Sequence, residues 1–296
     1  MQRRLLAVHA HPDDESSKGA ATYASYVELG DQVMVVSCTG GERGDVQNEA
    51  LAERAMAERD MAGLRRIEIA KAQAIIGFEH RWLGYQDSGL PEHGEALEPG
   101  CFALVPLEHS AEPLVRVIRE FRPHVLITYD ENGGYPHPDH IRAHELAMYA
   151  YRAASDPEAF PGTGEPWSIS KVYYDRIFNL QKVEAVLGAL QAAGHPRAEK
   201  LAELAECLSG RRDSEQHDSA QQATTHIPVA AHLDRRDAAL RAHASQVAPD
   251  DEFFFWPNDV LAQVWPFEDF QLVESSVESA MPEDDLFAGL TEKDLR

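Results

Sequence analysis

Two short clusters of histidine and aspartate contain the residue types that bind metal ions. The first is HPDD at residues 11–14, and the second is HPDH at residues 137–140. In each cluster the first and last residues lie three positions apart, so at a turn into a helix both side chains can face one point. Catalytic zinc sites usually take three protein ligands from histidine, aspartate and glutamate and leave one position open for water. Ligands drawn from both clusters would therefore form a catalytic metal site if the fold brings the clusters together.

Each cluster on its own also has a purely structural interpretation. Asp13 could be a helix N-cap, and a helix dipole would stabilise the acids beside it. His140 and His144 have the i, i+4 spacing of one polar helix face. Because both clusters follow predicted strands, we favour the metal site over these alternatives.

Short apolar segments separated by helical patterns predict the elements that would position the clusters. Five segments are predicted strands, at residues 5–10, 32–39, 81–85, 124–130 and 171–178. Several of them lack the alternation of a strand with one solvated face, which is typical of strands that are buried on both faces. The alternation of strands and helices predicts an α/β layered fold with a mostly parallel sheet and helices on both faces.

Four polar loops follow the carboxyl ends of predicted strands. They are residues 11–15, 39–48, 87–100 and 131–140. Ligands bind at this edge of open α/β sheets. The loops therefore predict the edge of the sheet at which functional residues gather.

The C-terminal third is predicted to elaborate this core. We expect a polar loop over residues 209–228, a helix over residues 230–246, and aromatic residues that pack on the protein over residues 250–275. The chain is accordingly divided into a catalytic core that holds both clusters (1–180), an elaboration that helps shape the pocket (181–277) and an acidic tail expected to be loosely ordered (278–296).

The composition argues against several classes of protein. The chain of 296 residues has 50 acidic and 27 basic residues, a formal charge of −23, so neither nucleic acid nor an anionic membrane is an expected partner. Its three cysteines form no CxxC pair, which indicates neither a disulfide framework nor a zinc knuckle. The apolar start is too short for a signal peptide, and no run of about 18 apolar residues occurs. We expect a soluble cytoplasmic protein that acts on a small molecule, and the composition gives no indication of its oligomeric state.

The motifs around both clusters resemble one known family. AHPDDE (10–15) and YDENGGYPHPDHIR (129–142) are similar to the LmbE-like (PIG-L) N-acetylglucosaminyl deacetylases, which are zinc hydrolases with a Rossmann-like three-layer fold. The resemblance is closest to the branch that hydrolyses mycothiol S-conjugates. It extends over residues 3–277 and includes TGGERGD (39–45), DSGLP (87–91), CFALVPLE (101–108) and VWPFEDFQLVES (264–275).

This resemblance implies an activity and a metal. The expected reaction is hydrolysis of the amide bond of mycothiol S-conjugates, which releases glucosaminyl-inositol and an N-acetylcysteine S-conjugate in thiol-dependent detoxification. The resemblance assigns zinc to His11, Asp14 and His140, and it assigns Asp13 as the general base that deprotonates the nucleophilic water. Zinc and ferrous iron both accept such a ligand set, so the sequence leaves the identity of the metal open.

Three further residues match positions that act on the scissile amide. His137 matches a group that stabilises the oxyanion or protonates the leaving amine, and Tyr135 matches a tyrosine that assists the oxyanion. We expect Asp139 to orient His137. His144 matches no role and is expected to lie behind the site or on the surface.

The substrate contacts are predicted from the same resemblance. Arg65 would hold the inositol side, Asp87 would accept sugar hydroxyls, and Lys18 would contact the acyl or thiol-derived part. His243 and Gln246, in AHASQ, are expected near the site. Two of these predictions have open alternatives, since Arg65 could be a solvated helix residue and Asp87 could form a turn.

Two segments are expected at the edges of the site. The run FFFWPN (253–258) could form an apolar slot for the S-substituent, although such aromatic runs more often belong to the core. Glu42 and Arg43 would shape the rim of the pocket.

Three other functions are alternatives to the amidase. Within the same fold, the alternative is the deacetylase that removes acetate from N-acetylglucosaminyl-inositol. A non-catalytic sugar-binding protein would require a broken site, yet every expected ligand and acid–base position is occupied. A two-metal phosphoesterase would need a second ligand set such as HxHxDH, which the sequence lacks.

Overall fold

A seven-stranded sheet forms the centre of the protein, in a computed structural model that describes residues 2–91, 95–177, 179–212 and 223–295. The strands are β1 (Arg4–His9), β2 (Gln32–Thr39), β3 (Glu79–Tyr85), β4 (Val125–Thr128), β5 (Lys171–Asp175), β6 (Thr225–Pro228) and β7 (Phe267–Ser275). Their order across the sheet is β3-β2-β1-β4-β5-β7-β6. Strands β1 to β5 are parallel to one another, whereas β7 is antiparallel to both β5 and β6.

Helices pack on both faces of this sheet. They are α1 (Asp14–Ser17), α2 (Ala20–Glu28), α3 (Arg54–Arg59), α4 (Met61–Ile76), α5 (Leu107–Phe121), α6 (Pro138–Ala154), α7 (Leu180–Ala192), α8 (Ala198–Arg212), α9 (Leu233–Ala242) and α10 (Asn258–Val264). Leu5 and Ala7 of β1 face a core that includes α2, α4, α7 and α9, whereas Leu6 and Val8 face a core formed with α5 and α6. The predicted α/β fold with a mostly parallel sheet is confirmed.

The C-terminal third differs from its sequence-based prediction. Residues 209–212 continue α8 instead of beginning a loop, and residues 225–228 form β6. The part of the predicted loop at 213–222 lies outside the described residues. The segment 267–275 forms β7, which enters the sheet between β5 and β6. The division of the chain at residues 180 and 277 stays a prediction, although β6 and β7 extend the same sheet as the predicted core.

The acidic tail, expected to be loosely ordered, packs on the protein. Leu286 is 0% exposed and Phe287 is 4% exposed. Lys171 on β5 and Glu283 form an ion pair in which neither side chain is exposed. Glu283 also accepts hydrogen bonds from Tyr173 Oη at 2.6 Å and Thr225 Oγ1 at 2.9 Å. The buried lysine explains the ordering, because a buried charge requires a partner.

Replacement of Glu283 by alanine tests this account of the tail. The change leaves the buried Lys171 ammonium without its counter-ion, and we expect the free energy of unfolding to fall by about 3–5 kcal/mol. Denaturant titration measures the effect. Glu292→Ala, at an exposed position of the same tail, is the control, and equal stability of the two variants would contradict the predicted role of the ion pair.

Within the described ranges, no helix is both long enough and apolar enough to cross a lipid bilayer.

Candidate metal centre

The two histidine–aspartate clusters meet because β1 and β4 are neighbours in the sheet. Leu5, Leu6 and Ala7 pair in parallel with residues 125–127. Both strands therefore end at the same edge, where β1 continues into residues 10–13 and β4 into the loop before α6. This is the edge at which the sequence predicts the functional loops to gather.

His11, Asp14 and His140 form a buried group that could hold a metal ion. Their potential ligand atoms all lie within 4.8 Å of one another. Asp14 Oδ2 lies 3.6 Å from His11 Nδ1 and 3.5 Å from His140 Nε2. The three side chains thus point one nitrogen or oxygen each towards a common centre, as the sequence predicts.

The donor atoms of this group fit a divalent metal. His140 Nδ1 lies 2.9 Å from Gly133 O, and this contact places the ring proton on Nδ1. His140 Nε2 then presents its lone pair to the group, and it is buried without a hydrogen-bond partner among the described residues. The backbone at Gly133 has a φ of +71°, and a Cβ there would lie 2.6 Å from His140 Cβ, so glycine is needed for this close approach.

His11 is oriented in the same way by acids on its other side. His11 Nε2 lies 3.3 Å from Asp139 Oδ2 and 3.6 Å from Asp87 Oδ1. A proton on Nε2 leaves the Nδ1 lone pair facing Asp14. Carboxylates behind metal-ligating histidines commonly fix the ring tautomer in this manner, so the surroundings of His11 also fit a metal ligand.

The charges around the group favour a cation. Burial lowers the pKa of His11, but the hydrogen bonds with Asp139 and Asp87 outweigh burial and raise it to about 10. Without a metal His11 therefore holds a second proton on Nδ1, and a metal ion would take the place of that proton. Burial also opposes the ionised form of Asp14, yet the charge of Lys18 and the neighbouring histidines hold its pKa well below the usual range. The group therefore offers an ionised carboxylate in surroundings that attract positive charge.

Asp13 and Asp14 are adjacent but lie in different surroundings. The Asp14 side chain is 5% exposed, whereas that of Asp13 is 25% exposed and lies outside the ligand group. Asp13 Oδ2 accepts a hydrogen bond from Arg65 Nη2 at 2.7 Å. Burial raises the pKa of Asp13 although Arg65 opposes the shift. One aspartate therefore faces the candidate metal position, and its neighbour remains available to a reactant.

The backbone conformation of Asp13 allows the two adjacent aspartates to face different surroundings. Its φ is +115°, a value that a non-glycine residue rarely adopts. Its N–H donates to Glu15 Oε2 at 2.9 Å, and Glu15 in turn accepts from Ser16 and lies 2.7 Å from His243 Nε2. Glu15 and His243 are both 0% exposed. This buried network supports the strained turn.

Arg65 and His243 occupy positions that differ from the predicted substrate contacts. Arg65 is 3% exposed and donates to Gly41 O at 2.8 Å, to Pro12 O and to Asp13. A Cβ at position 41 would lie 1.8 Å from Arg65 Nη1, so the glycine turn is shaped around the guanidinium. Arg65 therefore orients Asp13, and His243, which has no exposed surface, lies behind Glu15.

The remaining predicted substrate residues lie around one cavity or beside it. Lys18 and Gln246 line the cavity that opens at Asp13, Asp14 and Tyr135. Lys18 Nζ also donates to Asp14 Oδ1. Asp87 accepts from the backbone N–H of Gly89 at 2.8 Å and that of Arg43 at 3.0 Å. Asp87 thus has the predicted turn geometry and also contacts His11.

His137 and Asp139 are both buried next to the group, and both are close to His11. His137 is the N-cap of α6, and its Nδ1 accepts from the backbone N–H of Asp139 at 3.1 Å. The Asp139 carboxylate instead accepts from Ser88 and contacts His11. The hydrogen bond from Asp139 to His137 thus comes from the backbone, although a carboxylate oxygen of Asp139 also lies within 4.8 Å of a His137 ring nitrogen. The expected role of Asp139 in orienting His137 stays a prediction.

The cavity above the metal group has an aromatic and aliphatic wall. Phe253 and Phe254 line it together with Ile177, Leu204, Leu208, Leu240 and Val247. Phe255 is 3% exposed and packs in the core with Leu240 and Val247. The FFFWPN segment therefore belongs partly to the core and partly to the cavity, and both interpretations of its sequence apply.

Other predicted residues form the surroundings of the site. Glu42 accepts from the backbone N–H of Asp87 at 2.9 Å, and Arg43 pairs with Glu98. His144 Nδ1 lies 2.9 Å from Tyr129 O, one turn away from the ligand group. Sequence reasoning missed Tyr129, whose hydroxyl donates to Asp14 Oδ2 at 2.7 Å and accepts from Ala10 N–H at 2.7 Å. The signal that could have identified Tyr129 is its position directly after β4, at the edge of the sheet where the functional loops meet.

Comparison with known proteins gives a consistent set of relatives. A profile of the family described as PIG-L, GlcNAc-PI de-N-acetylase, matches residues 6–151. The chain is 47% identical over 296 residues to a protein of Streptomyces coelicolor named mycothiol S-conjugate amidase, with 98% of each chain covered. It is 44% identical over 279 residues to a 1D-myo-inositol 2-acetamido-2-deoxy-alpha-D-glucopyranoside deacetylase of Thermobispora bispora, with 91% of this chain and 88% of the relative covered.

A solved structure supports the fold independently. The N,N'-diacetylchitobiose deacetylase of Pyrococcus horikoshii superposes with a TM-score of 0.60 and 18% identity, covering 92% of this chain and 84% of that chain. At this identity the similarity establishes the shared fold alone.

Proposed function

The chain belongs to the PIG-L family of deacetylases and amidases, and on that premise we propose that it hydrolyses the amide bond of mycothiol S-conjugates. The products would be glucosaminyl-inositol and an N-acetylcysteine S-conjugate. The relative named mycothiol S-conjugate amidase, which matches along the whole chain, supports this choice. The cytoplasmic location expected from the sequence stays a prediction.

The cavity at the metal group is the observation that carries the proposal. Asp13 and Asp14 line it together with the apolar residues Ile177, Leu204, Leu208, Leu240, Val247, Phe253 and Phe254. A deacetylase needs space for a methyl group on the acyl side of the scissile bond, whereas the amidase must accept a cysteine residue with its S-substituent. An apolar wall next to the ligand group suits the larger acyl group.

We propose zinc as the metal, held by His11, Asp14 and His140. The orphaned Nε2 of His140 and the carboxylate-oriented ring of His11 support this ligand set. Ferrous iron remains the alternative, because the same donors suit both ions. When bound, the metal would supply Lewis acidity for the amide carbonyl and for the nucleophilic water.

Asp13 is proposed to accept the proton of the nucleophilic water. Its carboxylate is partly exposed to the cavity, and its Oδ2 is held by Arg65 at 2.7 Å. Arg65 is in turn fixed by Gly41 O and Pro12 O. This arrangement orients the carboxylate before substrate binds, as a general base requires.

His137 and Tyr135 are proposed to act on the other side of the carbonyl. Because His137 Nδ1 accepts the Asp139 N–H, the neutral ring carries its proton on Nε2 and can donate a hydrogen bond to the oxyanion. The proton for the leaving amine would be the one that Asp13 takes from the water. Burial raises the pKa of Tyr135 to about 12, so its hydroxyl stays protonated at neutral pH and can donate as well. Two donors at the developing oxyanion would stabilise the transition state.

A comparison of two substrates tests the proposed function. We expect the zinc-loaded protein to hydrolyse a mycothiol S-benzyl conjugate with a kcat/KM about 10-fold above that for N-acetylglucosaminyl-inositol, a difference of about 1.4 kcal/mol. Quantification of the released amine measures both reactions. Protein treated with a chelator and then reloaded with zinc serves as the control for metal dependence. Faster release of acetate would instead identify the chain as the deacetylase.

A further inference from the structure

A side cavity adjoins the larger cavity, and Lys18 lines both. The side cavity shares Ser17, Lys18 and the apolar residues Ile177, Leu204, Leu240, Phe253 and Phe254 with the larger cavity. Beyond these its wall includes the aromatic residues Trp256 and Phe270 and a set of charged residues. The charged residues are Asp175, Arg176, Lys182, Arg236, Glu268 and Asp269. Lys18 bonds to Asp14, so the side cavity begins one side chain away from the candidate metal position.

Two polar groups in the wall of the side cavity lack partners. Asp175, at the end of β5, is 6% exposed, and its Oδ2 is buried without a hydrogen-bond partner among the described residues. Trp256 Nε1 is likewise buried and unpartnered within that part of the chain. A buried acceptor and a buried donor that are left unpaired are costly to a folded protein, so both point to a ligand that bonds to them.

The other acids of the side cavity are already hydrogen-bonded. Glu268 accepts from the backbone N–H groups of Ala21 and Thr22. Asp269 accepts from Asn179 and Trp265, each at 2.9 Å. Asp175 is therefore the acid in this wall whose oxygen needs a donor.

We propose that the side cavity binds the S-substituent of the conjugate. It selects apolar, preferably aromatic, substituents that carry a hydrogen-bond donor such as a hydroxyl at their far end. This inference rests on the proposed function, because it assigns the acyl side of the same substrate. The aliphatic and aromatic side chains would enclose the body of the substituent, and Asp175 would accept a hydrogen bond from its tip. A hydroxyl is suited to the pair, since it can donate to Asp175 or accept from Trp256.

The electrostatic surroundings of Asp175 support a donor at this position. Burial raises its pKa to about 7, although the charges of Lys18 and Arg176 act in the opposite direction. The ionised carboxylate is therefore poorly compensated by its neighbours. A neutral donor on the ligand would stabilise it without introducing a second charge into the cavity.

A series of three conjugates tests the inference on the zinc-loaded protein. The S-methyl, S-benzyl and S-(4-hydroxybenzyl) conjugates of the same thiol differ in apolar surface and then in one donor. We expect kcat/KM to rise from methyl to benzyl, and by about a further 10-fold from benzyl to hydroxybenzyl, as one hydrogen bond to a buried carboxylate would give. Asp175→Leu should abolish the second step, and Phe254→Ala should reduce the first.

Controls separate this inference from a loss of structure. Asp259→Leu removes an acid from the exposed surface of α10 and should leave all the ratios as in the wild type. Calorimetric binding of N-acetyl-S-(4-hydroxybenzyl)cysteine and its benzyl analogue repeats the comparison without turnover, so a weakly active variant remains informative. Thermal unfolding reports whether each variant is folded.

The outcomes distinguish a failure of the side-cavity assignment from a failure of the proposed amidase function. Equal kcat/KM values for benzyl and hydroxybenzyl conjugates, or an unchanged ratio in Asp175→Leu, would overturn the assignment of the side cavity while leaving the amidase proposal intact. If the wild type hydrolyses none of the three conjugates, the proposed function fails, and this inference fails with it.

Discussion

Replacement of Asp13 by asparagine should lower kcat/KM for a mycothiol S-conjugate by about 10²–10⁴-fold, the range that general-base catalysis contributes, while the protein keeps its metal. The amide of asparagine has the shape of the carboxylate but cannot accept the proton of the nucleophilic water. Asp13 also lies outside the group formed by His11, Asp14 and His140. Metal content and turnover of the purified variant, measured together, check both parts of this prediction.

Asparagine is the appropriate substitution because of the backbone. Position 13 has a φ of +115°, and asparagine tolerates positive φ better than alanine does. Asp13→Ala would therefore combine loss of the base with strain in the turn. Full activity of Asp13→Asn would rule out Asp13 as the base. Loss of its metal would instead indicate that Asp13 is a ligand.

Removal of one metal ligand should greatly lower both metal affinity and turnover. In His140→Ala we expect metal affinity to fall by more than about 100-fold, beyond the 10–100-fold range reported for residues that only support a ligand. Turnover should fall below detection at the zinc concentration that saturates the wild type. The reason is geometric, since the buried Nε2 of His140 faces Asp14 Oδ2 at 3.5 Å and is the single contribution of α6 to the group.

Competition of each protein with a chromophoric chelator measures the zinc affinity. His109→Ala, at an exposed position on α5, is the control for removal of a histidine. His11→Ala should behave like His140→Ala, because each supplies one ligand atom. Wild-type zinc affinity in either variant would contradict the proposed ligand set.

The centre of the fold could be predicted from sequence because its strands are buried on both faces. Strands β1, β2 and β4 consist of nearly continuous apolar residues, and each is followed by a polar cluster. Such a pattern predicts both the parallel arrangement and the edge at which the clusters meet. The grouping of His11, Asp14 and His140 agrees with that expectation.

The elements at the other end of the sheet lacked such a signal. β6 is the four-residue strand THIP, which ends on a proline, and β7 contains two acids among its first three residues. Their pairing depends on partners that are distant in sequence, and sequence periodicity does not report these. The same applies to the tail, which is ordered by Lys171, a lysine more than a hundred residues earlier in the chain.

The surroundings of the catalytic residues were also beyond sequence reasoning. Arg65 and His243 were recognised as functional positions, but the burial that makes them partners of Asp13 and Glu15 depends on tertiary packing. Asp175 shows no motif at all. Asp175 stands out only in the structure, where its Oδ2 is buried without a hydrogen-bond partner among the described residues.

The placement of β7 between β5 and β6 has a consequence for biosynthesis. A ribosome releases β5 about a hundred residues before β7, and during that interval β5 has a free edge next to β4. An exposed edge of this kind invites pairing with other nascent chains. We therefore expect chains that stall or terminate before residue 267 to aggregate or to be captured by chaperones, even though they already contain every candidate metal ligand.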